Sequence, residues 1–258
     1  MTILCYHSVE PAWESPLAVH PDAFERHCSW LARRRQVLPL REAVNCLDGS
    51  GRLPRGTAAL TLDDGFAALH EHALPILRRH RLPATVFLVA QTLTPEGRAV
   101  DWVRTPPPWP LRTLSIEQVL EMQSAGVDFQ SHSWAHHDLP ELDQEACTGD
   151  LRRSRELLED VLGRSVPLLA YPRGLHDEGV REAAARAGYT HALALPEGPE
   201  PVGRYAVPRV GIYRGNGVAS LRVKSSRSYL RARNGSARRL VRQIRGAVKP
   251  SGARQLPS

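Results

Sequence analysis

The 258-residue chain is 42% hydrophobic, enough for a sizeable core and too apolar for a disordered polypeptide. No window approaches the roughly 18 apolar residues that span a bilayer, and the four cysteines lack the paired spacing of a zinc ribbon or disulfide framework. The net charge of +7 hides a split, because the residues from Pro201 onward carry 14 Lys and Arg and no acid, leaving 20 basic against 27 acidic residues in the first 200.

In chain order, "TILCYH" reads as a strand that begins at once, without the basic start and long apolar run of a signal peptide, so a cytoplasmic chain is expected. "HPDAFERHCSWLARR" has helical spacing, "QVLPL" reads as a short strand, and "REAVNCL" as a short helix stopped by Asp48-Gly49. "TAALTL" is a buried strand, followed by a helix from about Phe66 to His80, and "ATVFLVA" is the clearest strand of all. "QTLTPEGRAVDWVRTPPPWPLRT" is a long Pro-rich loop of the kind that often carries function. Ser115 and Gln118 form a capping-box pattern at the head of "IEQVLEMQSAG", which Gly126 ends. Then come a strand at "VDFQ", a helix from about Glu141 to Leu162, a strand at "PLLAYP", a helix at "DEGVREAAARAG" and a strand at "THALAL". This alternation predicts an α/β fold with a mostly parallel sheet, either a barrel or a doubly wound sheet.

In such folds, sites form where strand C-termini meet the following loops. Polar motifs fall at these ends: His7 after the first strand, Asp63-Asp64 after "TAALTL", "SHSWAHHD" after "VDFQ" and "YPRG" after "PLLA". One helical turn would put His132 and His136 on one face. Two imidazoles and a carboxylate, here Asp64, make a divalent-metal set with open positions, and Asp63 beside it is placed as a general base. Taken singly, each motif also reads blandly, the DDG triplet as a turn, the His pair as a solvated face, and Tyr-Pro as a strand end.

Together the motifs resemble those of the polysaccharide deacetylases, the NodB-homology or carbohydrate esterase 4 family, with "TLDDG" matching TFDDG, "HSWAH" matching HSxxH and "AYPRG" matching RxPxG in part. The resemblance implies a distorted (β/α) barrel of about seven strands over residues 1–215 and metal-dependent removal of an acetyl group from an acetylated sugar. It implies Asp63 as general base and Asp64, His132 and His136 as ligands of a divalent cation, Zn²⁺ first, with Co²⁺ or Ni²⁺ as alternatives. The family's base-orienting Arg falls at Ala170, so Arg209 in "VPRVG" is the expected substitute. "LCYH" resembles the LxxH motif of a circularly permuted branch related to the exopolysaccharide deacetylases, which makes His7 the expected general acid. The Arg173 amide is the expected oxyanion donor, with Tyr171 and Pro172 at the substrate. Asp101, Trp102 and Trp109 read as a substrate-facing lid or, equally, as anchors of the long loop. Two other readings stay open: a deacylase acting on a non-sugar amide, and a degenerate barrel that binds glycan without catalysis.

Residues 216–258 are expected to form a basic tail, partly helical or disordered. Ala237, Leu240, Val241, Ile244 and Val248 would share one helical stripe among arginines, suited to an anionic membrane surface and an enzyme peripheral to the inner membrane face. A solvated tail is the alternative, and no motif supports nucleic acid binding.

Overall fold

The computed structural model describes residues 2–50, 56–196, 203–226 and residue 229. The N-terminal segment forms β1 (Thr2–Tyr6), a small parallel pair β2 (Ser8–Val9) and β3 (Ala18–Val19), helix α1 (Pro21–Arg34), β4 (Gln36–Val37) and α2 (Leu40–Ser50). The central part supplies β5 (Thr57–Leu62), α3 (Leu74–His80), β6 (Thr85–Leu88), α4 (Ile116–Ser124) and β7 (Asp128–Ser131). It continues as α5 (Gln144–Leu162), β8 (Leu168–Ala170), α6 (Glu178–Arg186), β9 (His191–Ala194), β10 (Val207–Gly211) and α7 (Val218–Lys224).

Strands β5, β6, β7, β8, β9, β10 and β1 pair in that order, all in parallel, and β1 returns to β5 to close the ring. Closure removes every edge from the ring, and β4 adds only to the start of β5. The protein is therefore a closed seven-stranded parallel (β/α) barrel, and the open doubly wound sheet is excluded. Ile3, Ala59, Phe87, Leu168, Ala170, Leu193 and Val207 fill the ring, with Leu40, Ala43 and Val44 of α2 packed among them. The larger cluster, including Phe24, Leu31, Leu77, Phe129 and Leu158, packs helices onto the outside of the strands.

Capping follows the sequence closely. Ser115 and Gln118 form both halves of the capping box on α4, and the Asp143 carboxylate caps α5 by accepting from the Ala146 amide at 2.8 Å. Asp143 thus starts α5 three residues later than expected, after a short 3₁₀ turn at Leu139–Glu141.

One expectation is corrected. The helix expected from Phe66 is broken: Leu69–Ala73 is a single π-helical turn, and α3 begins only at Leu74 with Pro75 in its first turn. Proline has no N–H to donate back four residues, so the wider turn accommodates it. "VPRVG" is a full barrel strand although Pro208 argues against a central one. After Gly215 the chain continues as α7, which buries Leu221 completely, while the Thr2 hydroxyl donates to the Ser225 carbonyl at 3.2 Å and Lys224 Nζ to the Gly211 carbonyl at 2.7 Å. A short packed helix therefore lies at the start of the stretch expected to form a partly helical basic tail. The apolar stripe from Ala237 to Val248 lies outside the described residues. No helix among the described residues is long and apolar enough to cross a membrane.

Candidate active site

Register brings the site together. β1 and β5 pair from Thr2↔Ala58 to Tyr6↔Leu62, and the Asp63 amide donates to the Tyr6 carbonyl at 2.9 Å, so His7 and Asp63 leave the barrel side by side. On the other flank of β1, Ile3 pairs with Arg209 of β10. Arg209 is fully buried inside the ring beneath this end, its guanidinium 5.4 Å from the Phe87 ring centroid.

Arg209 grips Asp63 with both terminal nitrogens, Nη1 donating to Oδ1 at 2.6 Å and Nη2 to Oδ2 at 2.7 Å. The paired geometry matches a planar fork to a carboxylate. Burial alone would raise the Asp63 pKa, but Arg209, with smaller contributions from His132 and His7, holds it well below the usual carboxylate range. Asp63 is thus a buried anion at neutral pH.

Asp64 turns the other way. Its φ of 69° is left-handed, a conformation that Asp tolerates better than most residues. Gly65 follows at φ 65°, and a Cβ there would sit 2.6 Å from Leu88 Cδ2, which explains the glycine. Asp64 Oδ1 faces His136 Nε2 at 3.3 Å and His132 Nε2 at 3.6 Å, with all three side chains buried.

The two histidines do not share a helical turn. Residues 132–136 form an irregular loop, with Ser133 at φ 69° and His136 at φ 56°. Side chains hold it: the His136 amide donates to Ser133 Oγ at 3.0 Å and the Trp134 amide to Asp150 Oδ1 at 2.8 Å. Left-handed residues of this kind cluster at functional sites, where surrounding contacts offset the strain.

His132 Nδ1 lies 2.7 Å from the Ala170 carbonyl, which can only accept, so Nδ1 carries the proton and Nε2 presents a lone pair toward Asp64. Burial pushes the His132 pKa down to about 4, with Asp63 opposing, so the ring is neutral as a metal ligand must be. The Asp64–imidazole separations are long for charged hydrogen bonds, which run ~2.7–2.9 Å. They bracket the ~3.4 Å that separates a nitrogen and an oxygen ligand on one tetrahedral ion, given bond lengths of ~2.0–2.2 Å. The donor set fits a divalent cation of the zinc class.

The Trp102 indole N–H donates to Asp64 Oδ1 at 3.1 Å, and its ring stacks on His136 at 4.9 Å between centroids. Trp102 therefore positions two of the three donors, a role that its place in a Pro-rich loop did not disclose. Asp101 is turned outward and pairs with Arg98 at 3.1 Å. Trp109 is 40% exposed and lines a groove with Phe66, His70 and Glu71. The Tyr171 ring is fully buried, donating its hydroxyl to the Tyr205 carbonyl at 3.0 Å, so this side chain faces the core and not the cleft. Pro172 is buried beside it, and Arg173, at φ 55°, sends its guanidinium to Asp138 at 3.0 Å. Gly174 has φ 72°, and an added Cβ would collide with the Leu195 backbone at 2.6 Å.

The buried histidines predict a pH dependence of stability. Burial lowers both His132 and His27 to about 4. The unfolded chain takes up these protons near pH 6.5, so stability is full above that pH and falls as pH drops toward 4, by ~1.4 kcal/mol per pH unit for each ring. Metal-free protein is therefore expected to have a lower urea midpoint at pH 5 than at pH 7; equal midpoints would contradict the assignment.

The sequence model of the family described as polysaccharide deacetylase matches residues 50–192. The Bacillus subtilis (strain 168) protein YxkH is 25% identical over 218 residues, covering 83% of this chain and 72% of its own. A poly-beta-1,6-N-acetyl-D-glucosamine N-deacetylase of Staphylococcus epidermidis is 25% identical over 205 residues, covering 75% of this chain and 67% of its own. The Streptococcus pyogenes deacetylase PplD, solved with acetate, superposes with a TM-score of 0.75 at 24% identity over 88% of this chain and 98% of its own. With the family's sequence pattern matched over more than half its length, on a barrel of the family's type, the chain belongs to the polysaccharide deacetylases.

Proposed function

We propose that this deacetylase is a metal-dependent hydrolase that removes the acetyl group from an N-acetylated sugar of a polysaccharide, oligosaccharide or glycolipid intermediate. The observation that carries the reading is the division of the acid pair: Asp64 faces two imidazoles at 3.3 and 3.6 Å, while Asp63 is held apart by Arg209. The activity named for the Staphylococcus epidermidis relative supports an N-acetylglucosamine polymer as the substrate class.

Asp64, His132 and His136 would hold the cation, Zn²⁺ before Co²⁺ or Ni²⁺. When bound it supplies Lewis-acid polarisation of the acetyl carbonyl and a lowered pKa for the attacking water. Asp63, kept anionic by Arg209, takes the proton from that water as its oxygen attacks the carbonyl carbon. The Arg173 amide is assigned to the oxyanion, a donor of the kind worth ~3–4 kcal/mol in the transition state. His7, half-buried beside Asp63, gives a proton to the departing amine, a poor leaving group until protonated.

The test is acetate release by the full chain from β-1,6-linked N-acetylglucosamine oligosaccharides, alongside simple amides. The reading predicts sugar-dependent release that chelation abolishes and divalent cations restore. Turnover surviving thorough chelation, or release from simple amides alone, would overturn it. His7→Ala is expected to lower kcat by roughly 10²–10⁴-fold with KM little changed; steady-state kinetics that show a KM effect alone would remove His7 from the proton path.

A further inference from the structure

We propose that Cys5, His7 and Asp63 form a second divalent-metal site, weaker than the first, whose occupancy shuts the enzyme down. Cys5 Sγ, a ring nitrogen of His7 and a carboxylate oxygen of Asp63 all lie within 4.8 Å of one another, and no residue of this set belongs to the Asp64, His132 and His136 set. The Cys5 thiol donates to Asp63 Oδ2 at 3.4 Å, and once its proton is lost the same spacing is close to the ~3.6 Å that separates a sulfur and an oxygen ligand on one tetrahedral zinc ion. His7 Nδ1 is buried and makes no hydrogen bond among the described residues.

The neighbours set the rank of the site. Arg209 and the Cys5 thiol already take three of the roughly four acceptor positions of Asp63; the thiol gives up its position when it loses its proton, while Arg209 stays and leaves a fixed positive charge beside the ion. An ion held by Asp64 would add a second repulsion, so this site fills only after the first. The thiol selects the metal: borderline and soft cations such as Zn²⁺ and Co²⁺ are taken, and Mg²⁺ and Mn²⁺ are not. Binding exchanges the Cys5 thiol proton for the metal, the proton leaving to solvent and the sulfur electron pair forming the new bond. Inhibition rests on the roles proposed above, since the same ion captures both the base and the acid; binding itself does not.

Cobalt titration of the metal-free full chain separates the two claims. The first equivalent is expected to give d–d bands without thiolate-to-cobalt charge transfer, because its donors are nitrogen and oxygen. The second is expected to add the near-ultraviolet charge-transfer band. Cys5→Ser should keep the first equivalent and lose the band, although Cys28, Cys46 and Cys147 remain. His7→Ala, at a less buried position, removes a direct ligand and should weaken the second equivalent sharply while leaving the first in place. Excess Zn²⁺ should inhibit the wild-type enzyme and leave Cys5→Ser turning over, while excess Mg²⁺ inhibits neither. A wild-type titration that ends at one equivalent with no thiolate band overturns the site, as does a band that persists in Cys5→Ser. Equal zinc inhibition of wild type and Cys5→Ser overturns its inhibitory role. A preparation without deacetylase activity would still show or lack the band, so failure of the activity reading is told apart from failure of this one.

Discussion

Asp63→Asn is expected to lower kcat by roughly 10²–10⁴-fold while KM for the sugar changes little. The amide preserves the shape of the side chain but cannot accept the water proton. Because Arg209 holds Asp63 well below the usual carboxylate range, the base adds no acidic limb at ordinary pH in the wild type, and the variant should be slow at every pH. Steady-state kinetics across pH read both effects. Retention of wild-type turnover would mean that the proton leaves by another route and that the buried Asp63–Arg209 pair is only structural.

Arg209→Ala is expected to carry the largest cost in stability, about 3–5 kcal/mol, because it strips the partner from a carboxylate buried inside the barrel. Asp63 then faces burial with only the weaker fields of His132 and His7 to oppose it, so its pKa rises. The acidic limb of the pH–rate profile should therefore move to higher pH. Arg209→Lys should keep the charge but lose one of the two parallel bonds, giving an intermediate shift. A purely structural arginine would cost stability in both variants and leave the limb in place. Denaturant unfolding and the pH profile together distinguish the two cases.

Much of the barrel is legible in the sequence because its strands are buried on both faces and read as continuous apolar runs, as in "TAALTL" and "ATVFLVA". The acid pair and the histidines stand out for a related reason, since they break those runs where strands end. What escapes is set by non-local contacts. The "HSWAH" spacing suggests a helical turn, but Ser133 and Asp150 tie the loop into left-handed backbone that no periodicity announces. Trp102 lies in a segment without pattern, and only the folded loop brings its indole to Asp64. Pro208 disguises β10, and basic residues disguise α7, whose one fully buried side chain is Leu221. Ala170 explains why the guanidinium must come from elsewhere: β8 offers only a methyl group, and β10, one strand removed, supplies Arg209.

The most direct test of the divided acid pair is zinc binding at one equivalent to wild type, Asp63→Asn and Asp64→Asn, measured by competition with a chromophoric chelator. The arrangement predicts one tight ion in wild type, a similar ion in Asp63→Asn despite its lost turnover, and an ion weakened by several orders of magnitude in Asp64→Asn. Zinc affinity lost equally in both variants, or kept in Asp64→Asn, would contradict it.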